Sequence, residues 1–557
     1  MGNQSYWLVA IDYVTGEIKE KTVAFSQRFT EDKVNYEDTD IVILSDGVIL
    51  NKFELLGKYD CKDLAEYMQT KCLSASFPSE MIGPFNSFIY DKNKKTGMAF
   101  GNQTGDSSVF YRIDEQESLL VLSNNFNCII EKNDAHRFLD EQSAHYLLTY
   151  GFLVSDGTII KGVKRLPPGK KLVFSEDGVK VATYHRFDFL NRNDISLDEA
   201  IDKIDELFRK AVRRCFEKDI EYGYTTHLAD LSAGLDSRMV NWVARDMGYN
   251  DFVNITYSQS GSDENKLLEG LTRVLKSPVY YRQLDDASFI FEAEDTIREE
   301  FGLAYYFGFT GGRQFLQLID FDKFGLQHTG QIGDIVLSMS KISRNNTEID
   351  FSVGRCSKLL KLRYQSQESY ASNEEFLFYT RGFRGALSTH YIRSNYTYAV
   401  SPFLDPELIA YCLSIPDSIR RNHYLYWAWI DKKYPLAGKI KSSRERFYAG
   451  APISAKLYHY RKKAARGFNK YANKVLRKAG LGRFALSGAN MNPWDYWYDT
   501  NPDIREFVRN YTNEHLHILS SYSHLRDEVI AMSRSGRASD KLLAVSLLAT
   551  IKVYDLH

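Results

Sequence analysis

The chain has 557 residues, 44% of them hydrophobic and 26% charged, a globular composition with room for about two to four domains. Its formal net charge of -1 excludes a protein that coats nucleic acid through an evenly basic surface, so any basic patch has to be local. No apolar run reaches the ~18 residues needed to cross a bilayer. The first residues, Met1 to Trp7, lack a secretion signal, and the cysteines at 61, 72, 128, 215, 356 and 412 show neither a C-x-x-C pair nor zinc spacing. The expected compartment is the reducing cytoplasm.

Residues 1 to about 190 read as mostly β, with short runs at Tyr6 to Tyr13, Ile41 to Leu44, Ser87 to Tyr90 and Ser118 to Leu122 between turn signals. A polar break at Asn191 to Asp194 leads to Ser196 and Glu199, a capping box that opens a helix with apolar positions at Ala200, Ile204, Leu207, Phe208, Ala211, Val212 and Cys215. Thr225 to Leu231 then reads as a buried strand, and Met239, Val240, Trp242, Val243 and Met247 recur at helical spacing. Between them stands Leu231-Ser232-Ala233-Gly234-Leu235-Asp236-Ser237-Arg238. A strand turning sharply into a helix aims backbone N–H groups and the positive end of the helix dipole at the turn, so this is a candidate anion loop. Ser232 and Ser237 add hydroxyls, Gly234 allows close approach, and Asp236 can hold Mg²⁺. No Lys follows the glycine, so it is not a Walker A loop. Further strands at Phe252 to Tyr257, Val279 to Leu284 and near Phe324 to His328, with a helix from about Asp263 to Leu275, predict a doubly wound parallel sheet whose ligands bind at the strands' carboxyl ends.

These residues carry a resemblance. Ser232 to Ser237 is similar to the S-G-G-x-D-S pyrophosphate loop of the asparagine synthetase family, with Ala233 at the first glycine, where a requirement for positive φ would displace the loop. Thr329-Gly330-Gln331-Ile332-Gly333-Asp334 resembles that family's S-G-E-G-x-D segment, Ser401 to Asp405 its P-F-L-D segment, and Ser443-Arg444-Glu445-Arg446-Phe447 its Q-K-E-Q-F segment. Asp46 to Asn51, Gly101 to Tyr111 and Ile160 to Gly169 fall in the order of a class II glutamine amidotransferase domain. The resemblance implies an Ntn-hydrolase-like α/β sandwich over 1–190, an ATP pyrophosphatase domain over 195–445 and a helical extension over 446–557. It implies ATP as substrate and Mg²⁺ on Asp236 and Asp334. Pyrophosphate falls to Ser232, Ala233, Gly234 and Ser237, the nucleotide lies between Leu231 and Gly330, and Leu235 belongs to the same ATP and pyrophosphate site. Arg444 or Lys441 supplies the cation that screens the departing phosphates. Gln331 stands at the family's glutamate and cannot accept a proton at neutral pH. The amidotransferase chemistry is expected to be lost. Position 2 is Gly where the family has its nucleophilic Cys, and Asp46 replaces the Asn of the oxyanion hole.

From Arg446 to Trp494 there is no acidic residue, while Lys456, Arg461, Lys462, Lys463, Arg466, Lys470, Lys474, Arg477, Lys478 and Arg483 are basic and Tyr460, Ala464, Phe468, Tyr471 and Val475 repeat at helical spacing. This is a basic amphipathic segment, over 456–478 a candidate for peripheral contact with an anionic membrane. The tail with Met491-Asn492-Pro493-Trp494-Asp495 resembles asparagine synthetase-like proteins of bacterial surface-polysaccharide biosynthesis. The function implied is therefore ATP-dependent amide formation between a small-molecule or sugar-acid carboxylate and ammonia or an amine. A peptide-cyclising or β-lactam-synthetase-like ligase is the alternative, and a non-catalytic nucleotide-binding scaffold is the alternative of another class.

Overall fold

The computed structural model describes residues 5–74, 76–131, 137–338, 348–366, 368–443 and 490–557, together with 453, 456, 457, 460, 461, 463, 464, 467, 468, 471 and 472. The β-rich half forms strands β1 (Tyr6–Asp12), β2 (Ile18–Ala24), β3 (Val34–Glu37), β4 (Ile41–Gly47), β5 (Phe85–Asp91), β6 (Thr96–Gly101), β7 (Phe110–Asp114), β8 (Leu119–Ser123), β9 (Val163–Arg165), β10 (Lys170–Ser175) and β11 (Gly178–Thr183). They make two antiparallel sheets, ordered β2-β1-β8-β7-β9 and β11-β10-β6-β5-β4-β3. The period-two alternation of a strand decides which side chains lie between them. Trp7, Val9 and Ile11 of β1 meet Val42 and Leu44 of β4 and Phe88 and Tyr90 of β5. The outer face of the second sheet sends Ile43 and Ile89 against helices α1 (Lys52–Tyr59) and α2 (Leu64–Lys71). That of the first packs Leu8, Phe110 and Val121 into a cluster with α3 (Glu141–Tyr150). The layers run helix, sheet, sheet, helix.

The second half opens with α4 (Leu197–Glu221), where Ser196 accepts from the Glu199 amide and Glu199 returns to the Ser196 amide, the expected capping box. Its apolar stripe, from Ala200 to Cys215, is buried throughout. A five-stranded parallel sheet follows, built from β12 (His227–Asp230), β13 (Phe252–Ser258), β14 (Val279–Gln283), β15 (Gln327–His328) and β16 (Ala399–Val400) in the order β14-β13-β12-β15-β16. Helices α5 (Asp236–Asp246), α6 (Asp263–Leu275), α7 (Ala293–Glu300) and α8 (Tyr424–Lys433) belong to this half. The chain moves outward from β12 to β14, then returns to place β15 on the other side of β12. The order therefore reverses between β12 and β15, and at such a switch point the strand ends leave a crevice. Helices α9 (Trp494–Thr500), α10 (Pro502–His515), α11 (Ser523–Ser533) and α12 (Ala538–Tyr554) close the chain. The apolar α12 is buried from Leu542 to Ile551 and packs on α3 and α7. Among the described residues no helix is long and apolar enough to cross a membrane.

Buried ions join the halves. Lys218 of α4 reaches Asp32 at 3.1 Å, and Lys52 of α1 meets the same carboxylate at 3.1 Å. Arg214 donates to Glu54 of α1 at 2.6 and 2.7 Å and to Asp405 at 2.7 Å. Such pairs resist removal of one partner far more than they add net stability. Deeper still, the buried Asp219 of α4 is bonded at 2.7 Å by His227 of β12 and at 2.7 Å by His328 of β15, while the Leu326 amide donates to its other oxygen. Burial opposes ionisation of Asp219, but the two imidazoles overcome it and hold the carboxyl below its ordinary value.

His185, just past β11, packs edge-on against Phe187 and has a buried Nε2 without a hydrogen-bond partner. Burial pushes its pKa down to about 4. The unfolded chain takes up this proton near pH ~6.5 and the folded chain only near the lower value, so the unfolded state binds more protons in between. Stability should therefore be full above the unfolded pKa and fall as pH drops through this window, by roughly 3 kcal/mol from this one group. In thermal melts at stepped pH, His185→Phe should flatten that part of the profile; an unchanged slope would remove His185 as its source.

Candidate functional site

The crevice at the switch point lies between two loops. The first leaves β12 after Asp230 and enters α5 at Asp236; the second leaves β15 after His328 and enters a short helix at Gly333. Gly330 decides how close they come, because a Cβ there would sit 2.3 Å from the Ser237 amide nitrogen. Only a residue without a side chain permits that approach. At Gly333 a Cβ would lie 2.9 Å from the Asp236 carboxyl carbon, so the turn that carries Asp334 rests on Asp236. The buried Tyr426 of α8 donates to Asp236 at 2.9 Å. Its phenol is driven well above the ordinary value by burial, then by Asp236, with Asp334 adding to the effect. Two carboxylates and a phenol thus share one corner of the crevice.

The first loop is held in shape by its own hydroxyls. Ser237 Oγ accepts from the Ser232 amide at 2.9 Å and lies 2.9 Å from Ser232 Oγ, which in turn accepts from the Gly234 amide at 3.2 Å. Ala233 is fully buried and is not among the residues with positive φ, so the expected displacement of the loop by a Cβ does not arise. Its carbonyl accepts from the Ser443 amide at 3.1 Å, from Ser442 Oγ at 3.1 Å and from Arg238 Nη2 at 3.3 Å. Arg238 is itself fully buried and also donates to the carbonyls of Ala437, Ile440 and Lys441 at 3.2, 2.8 and 2.8 Å. One guanidinium fork therefore fastens the 437–443 segment to the loop and leaves the exposed Lys441 side chain at its rim.

The structure brings together Ser232, Ala233, Gly234, Asp236, Ser237, Gly330, Asp334 and the Lys441 backbone. Leu231 and Leu235 are adjacent, but their side chains turn into apolar clusters, so what they offer a ligand is main chain. Arg444 lies outside the described residues. Asp334 sits in the first turn of Gly333–Leu337 rather than at its cap, which is Ile332. Gln331 points away from the loop: its Nε2 donates to Ala386 O and Thr389 Oγ1, both at 3.0 Å, and its Oε1 meets His390 Nε2. His390 Nδ1 pairs with Asp106 of the N-terminal half at 3.0 Å. Sequence reasoning missed Arg238 and Tyr426. Arg238 directly follows the motif but gives no pattern of its own, and Tyr426 is 190 positions from Asp236.

Among the described residues Asp219, His227 and His328 also offer three ligand atoms within 4.8 Å. Both imidazoles already bond one carboxylate oxygen at 2.7 Å, a hydrogen-bonding arrangement. In the N-terminal half Asp46 accepts from Ser5 Oγ at 2.7 Å, Tyr398 OH at 2.9 Å and Asn124 Nδ2 at 3.0 Å, with Lys33 at 3.7 Å. Gly2 lies outside the described residues.

The architecture joins a two-sheet antiparallel sandwich to a doubly wound parallel sheet. Comparison with known proteins finds partial matches. Residues 40–185 match the family described as glutamine amidotransferase domain. The chain is 25% identical over 163 residues to asparagine synthetase [glutamine-hydrolyzing] 3 of Bacillus subtilis, covering 29% of this chain and 25% of that one. It is 24% identical over 269 residues to asparagine synthetase [glutamine-hydrolyzing] 2 of the same organism, covering 43% and 34%. The matches thus span a quarter to a third of the length of those relatives. Two solved structures share 10% identity over 50% of this chain: an allosteric regulatory enzyme of purine biosynthesis, of which 75% is covered at a TM-score of 0.23, and a glutamine phosphoribosylpyrophosphate amidotransferase from B. subtilis, 60% covered at 0.22. Over part of its length the chain is thus similar to asparagine synthetases, and residues 40–185 are similar to glutamine amidotransferase domains.

Arg238→Lys keeps the buried charge but loses the fork that reaches four carbonyls, so it should destabilise the protein by about 1–3 kcal/mol. Amide exchange at 437–443 should quicken well beyond the change elsewhere. Uniform or unchanged exchange across that segment would show that the fork does not hold it.

Proposed function

We propose that the protein is an ATP-dependent amide-forming ligase. A substrate carboxylate attacks the α-phosphorus of ATP, pyrophosphate leaves, and ammonia or an amine captures the acyl-adenylate. The observation that carries this reading is the meeting of the two loops at the switch point, which gathers Asp236, the Asp334 turn and Tyr426 beside the amides at the start of α5. An all-oxygen donor set with two carboxylates suits Mg²⁺, and Asp236 and Asp334 would hold it. The ion would supply positive charge to the phosphates as they separate. Ser232, Ser237 and the amides around Ala233 and Gly234 bind pyrophosphate in this reading, trading the loop's internal hydrogen bonds for bonds to the anion. Leu231, Leu235 and Gly330 line the nucleotide with main chain, and Lys441 screens the charge from the rim, with Arg444 as the second cation.

Glutamine is not the nitrogen donor in this proposal. Gly2 carries no nucleophile, and Asp46, set among donors from Ser5, Asn124 and Tyr398, would repel a developing oxyanion. Residues 1–190 then serve as a structural domain, 195–445 as the ligase and 446–557 as an extension. The tail resemblance supports a sugar acid or its amino-acid substituent as the carboxylate, acted on in the cytoplasm.

With ATP, Mg²⁺ and its carboxylate, the protein should release pyrophosphate and AMP in equal amounts; stoichiometric ADP and phosphate would overturn the proposal. Asp236→Asn preserves shape while removing a metal charge, and turnover should fall at least ~100-fold with an unchanged melting temperature. A fully active variant would exclude Asp236 from the site.

Free ammonia or an amine should support turnover as well without glutamine as with it. Release of glutamate from glutamine in step with product would contradict the assignment of both Gly2 and Asp46.

A further inference from the structure

Ile453, Leu457, Tyr460, Ala464, Phe468 and Tyr471 are spaced three and four apart, and at about 100° per residue they fall within an arc of about 80° on one helix face. The described residues of this segment are helical. Such a stripe ordinarily packs on a core. Here its described members lie largely open to solvent: Ile453 is 77% exposed, Leu457 58%, Tyr460 57%, Phe468 64% and Tyr471 69%. Lys456, half-buried, and Lys463, exposed, flank the stripe on one side, and the exposed Arg461 flanks it on the other. Over the whole stretch from Arg446 to Trp494 the chain has no acidic residue.

We propose that this helix is a membrane-surface element whose occupant is the anionic headgroup and acyl boundary of a lipid leaflet. The argument is charge complementarity joined to an exposed apolar face. A polyanion such as nucleic acid would use the cations and leave the aromatic and aliphatic stripe in water, whereas an anionic leaflet takes both at once. The flanking Lys and Arg stems can lie along the apolar arc while their charges stay at the headgroups.

The chain on either side of the helix says which face of the enzyme would meet the leaflet. Before it, the Ser443 amide is bonded to Ala233 O of the anion loop at 3.1 Å; after it, Met491 O accepts from the Gln259 amide, just beyond β13, at 3.2 Å. Both tethers sit at the carboxyl edge of the parallel sheet, so docking would bring the mouth of the crevice to the lipid surface. This surface stands apart from the ligase reading, and its test uses no catalytic readout.

The experiment is co-sedimentation of the whole protein with phosphatidylcholine vesicles, with and without phosphatidylglycerol, at low and high salt, alongside retention on immobilised heparin. Binding should require the anionic lipid and weaken as salt screens it. Replacing Lys456, Arg461 and Lys463 together with Gln should lower vesicle affinity about 100-fold, since each basic residue near an anionic surface contributes about fivefold. The variant Leu457→Ser with Phe468→Ser should lose vesicle binding while keeping heparin retention, and circular dichroism with a thermal melt should show both variants folded. Wild-type protein that stays in the supernatant with anionic vesicles at low salt overturns the proposal. So does a serine variant that sediments as well as wild type, which would leave the stripe without a part in binding.

Discussion

The site depends on a carboxylate that never touches it. Asp219 projects from α4 into the space beneath the parallel sheet and takes hydrogen bonds from the first residue of β12, the last residue of β15 and the Leu326 amide. Those strands lie on either side of the order reversal, so one buried anion sets the spacing of the two chains from which both loops spring. Removing its charge from water is costly, and two imidazoles with an amide repay it only in this geometry. Gly325 belongs to the same arrangement, because a Cβ there would lie 2.2 Å from Asp219 Oδ1. Both loops above spring from strands that this arrangement ties together.

Ion pairs cross the boundary between the halves beside its apolar contacts, where a boundary made only of apolar surface would be free to slide. Arg214, Lys218 and Lys52 are buried cations that meet the buried Asp32 and Asp405, while Glu54, the second partner of Arg214, is half exposed. Pairs of this kind fix register more than they add stability, since any slip leaves a buried charge alone. The same logic applies to Asp46. Tyr398, two residues before β16 ends, reaches across to donate to it, while Ser5 and Asn124 donate from its own half. Where an oxyanion hole would need free donors, donors are consumed by a carboxylate that the chain itself supplies. The chain Asp106–His390–Gln331 runs close by and ties the N-terminal half to the loop after β15.

Local patterns made much of this legible. The capping box at Ser196, the strands at Phe252 and Val279, the helix from Asp263 and the buried stripe of α4 follow from propensity and period, and the structure places them within a residue or two of where the sequence puts them. The fourth strand was less visible, because only Gln327 and His328 pair in the ladder, too few for any periodicity. Arg238 and Tyr426 illustrate a different limit. Nothing in the identity of a residue says that its side chain will face four carbonyls or a carboxylate 190 positions away; that is a property of the packed sheet and its helices. The exposed stripe carried by Ile453, Leu457, Tyr460, Phe468 and Tyr471 belongs here too, since a 3.6 period reads the same whether the stripe meets a core or a bilayer.

The glycine positions of the two motifs separate by physical reason. Gly330 is required for approach, with the Ser237 amide where a Cβ would stand. Ala233 occupies a glycine position whose backbone is not left-handed, so a methyl fits, and three donors on its carbonyl hold the peptide in place. Ile332 is the strained one. It stands at the second glycine of S-G-E-G-x-D with φ 60°, a conformation that costs a β-branched residue about 1–2 kcal/mol. Its side chain is 6% exposed and packs in the cluster that holds Val336, Leu337 and Phe403, and burial of an isoleucine contributes about 1.5–3 kcal/mol. Core packing thus offsets the strain of a turn that the loop cannot abandon, because that turn carries Asp334 from Gly330 round to Asp236. A motif can lose its glycines and keep its geometry when the residue that replaces each one meets that position's own constraint.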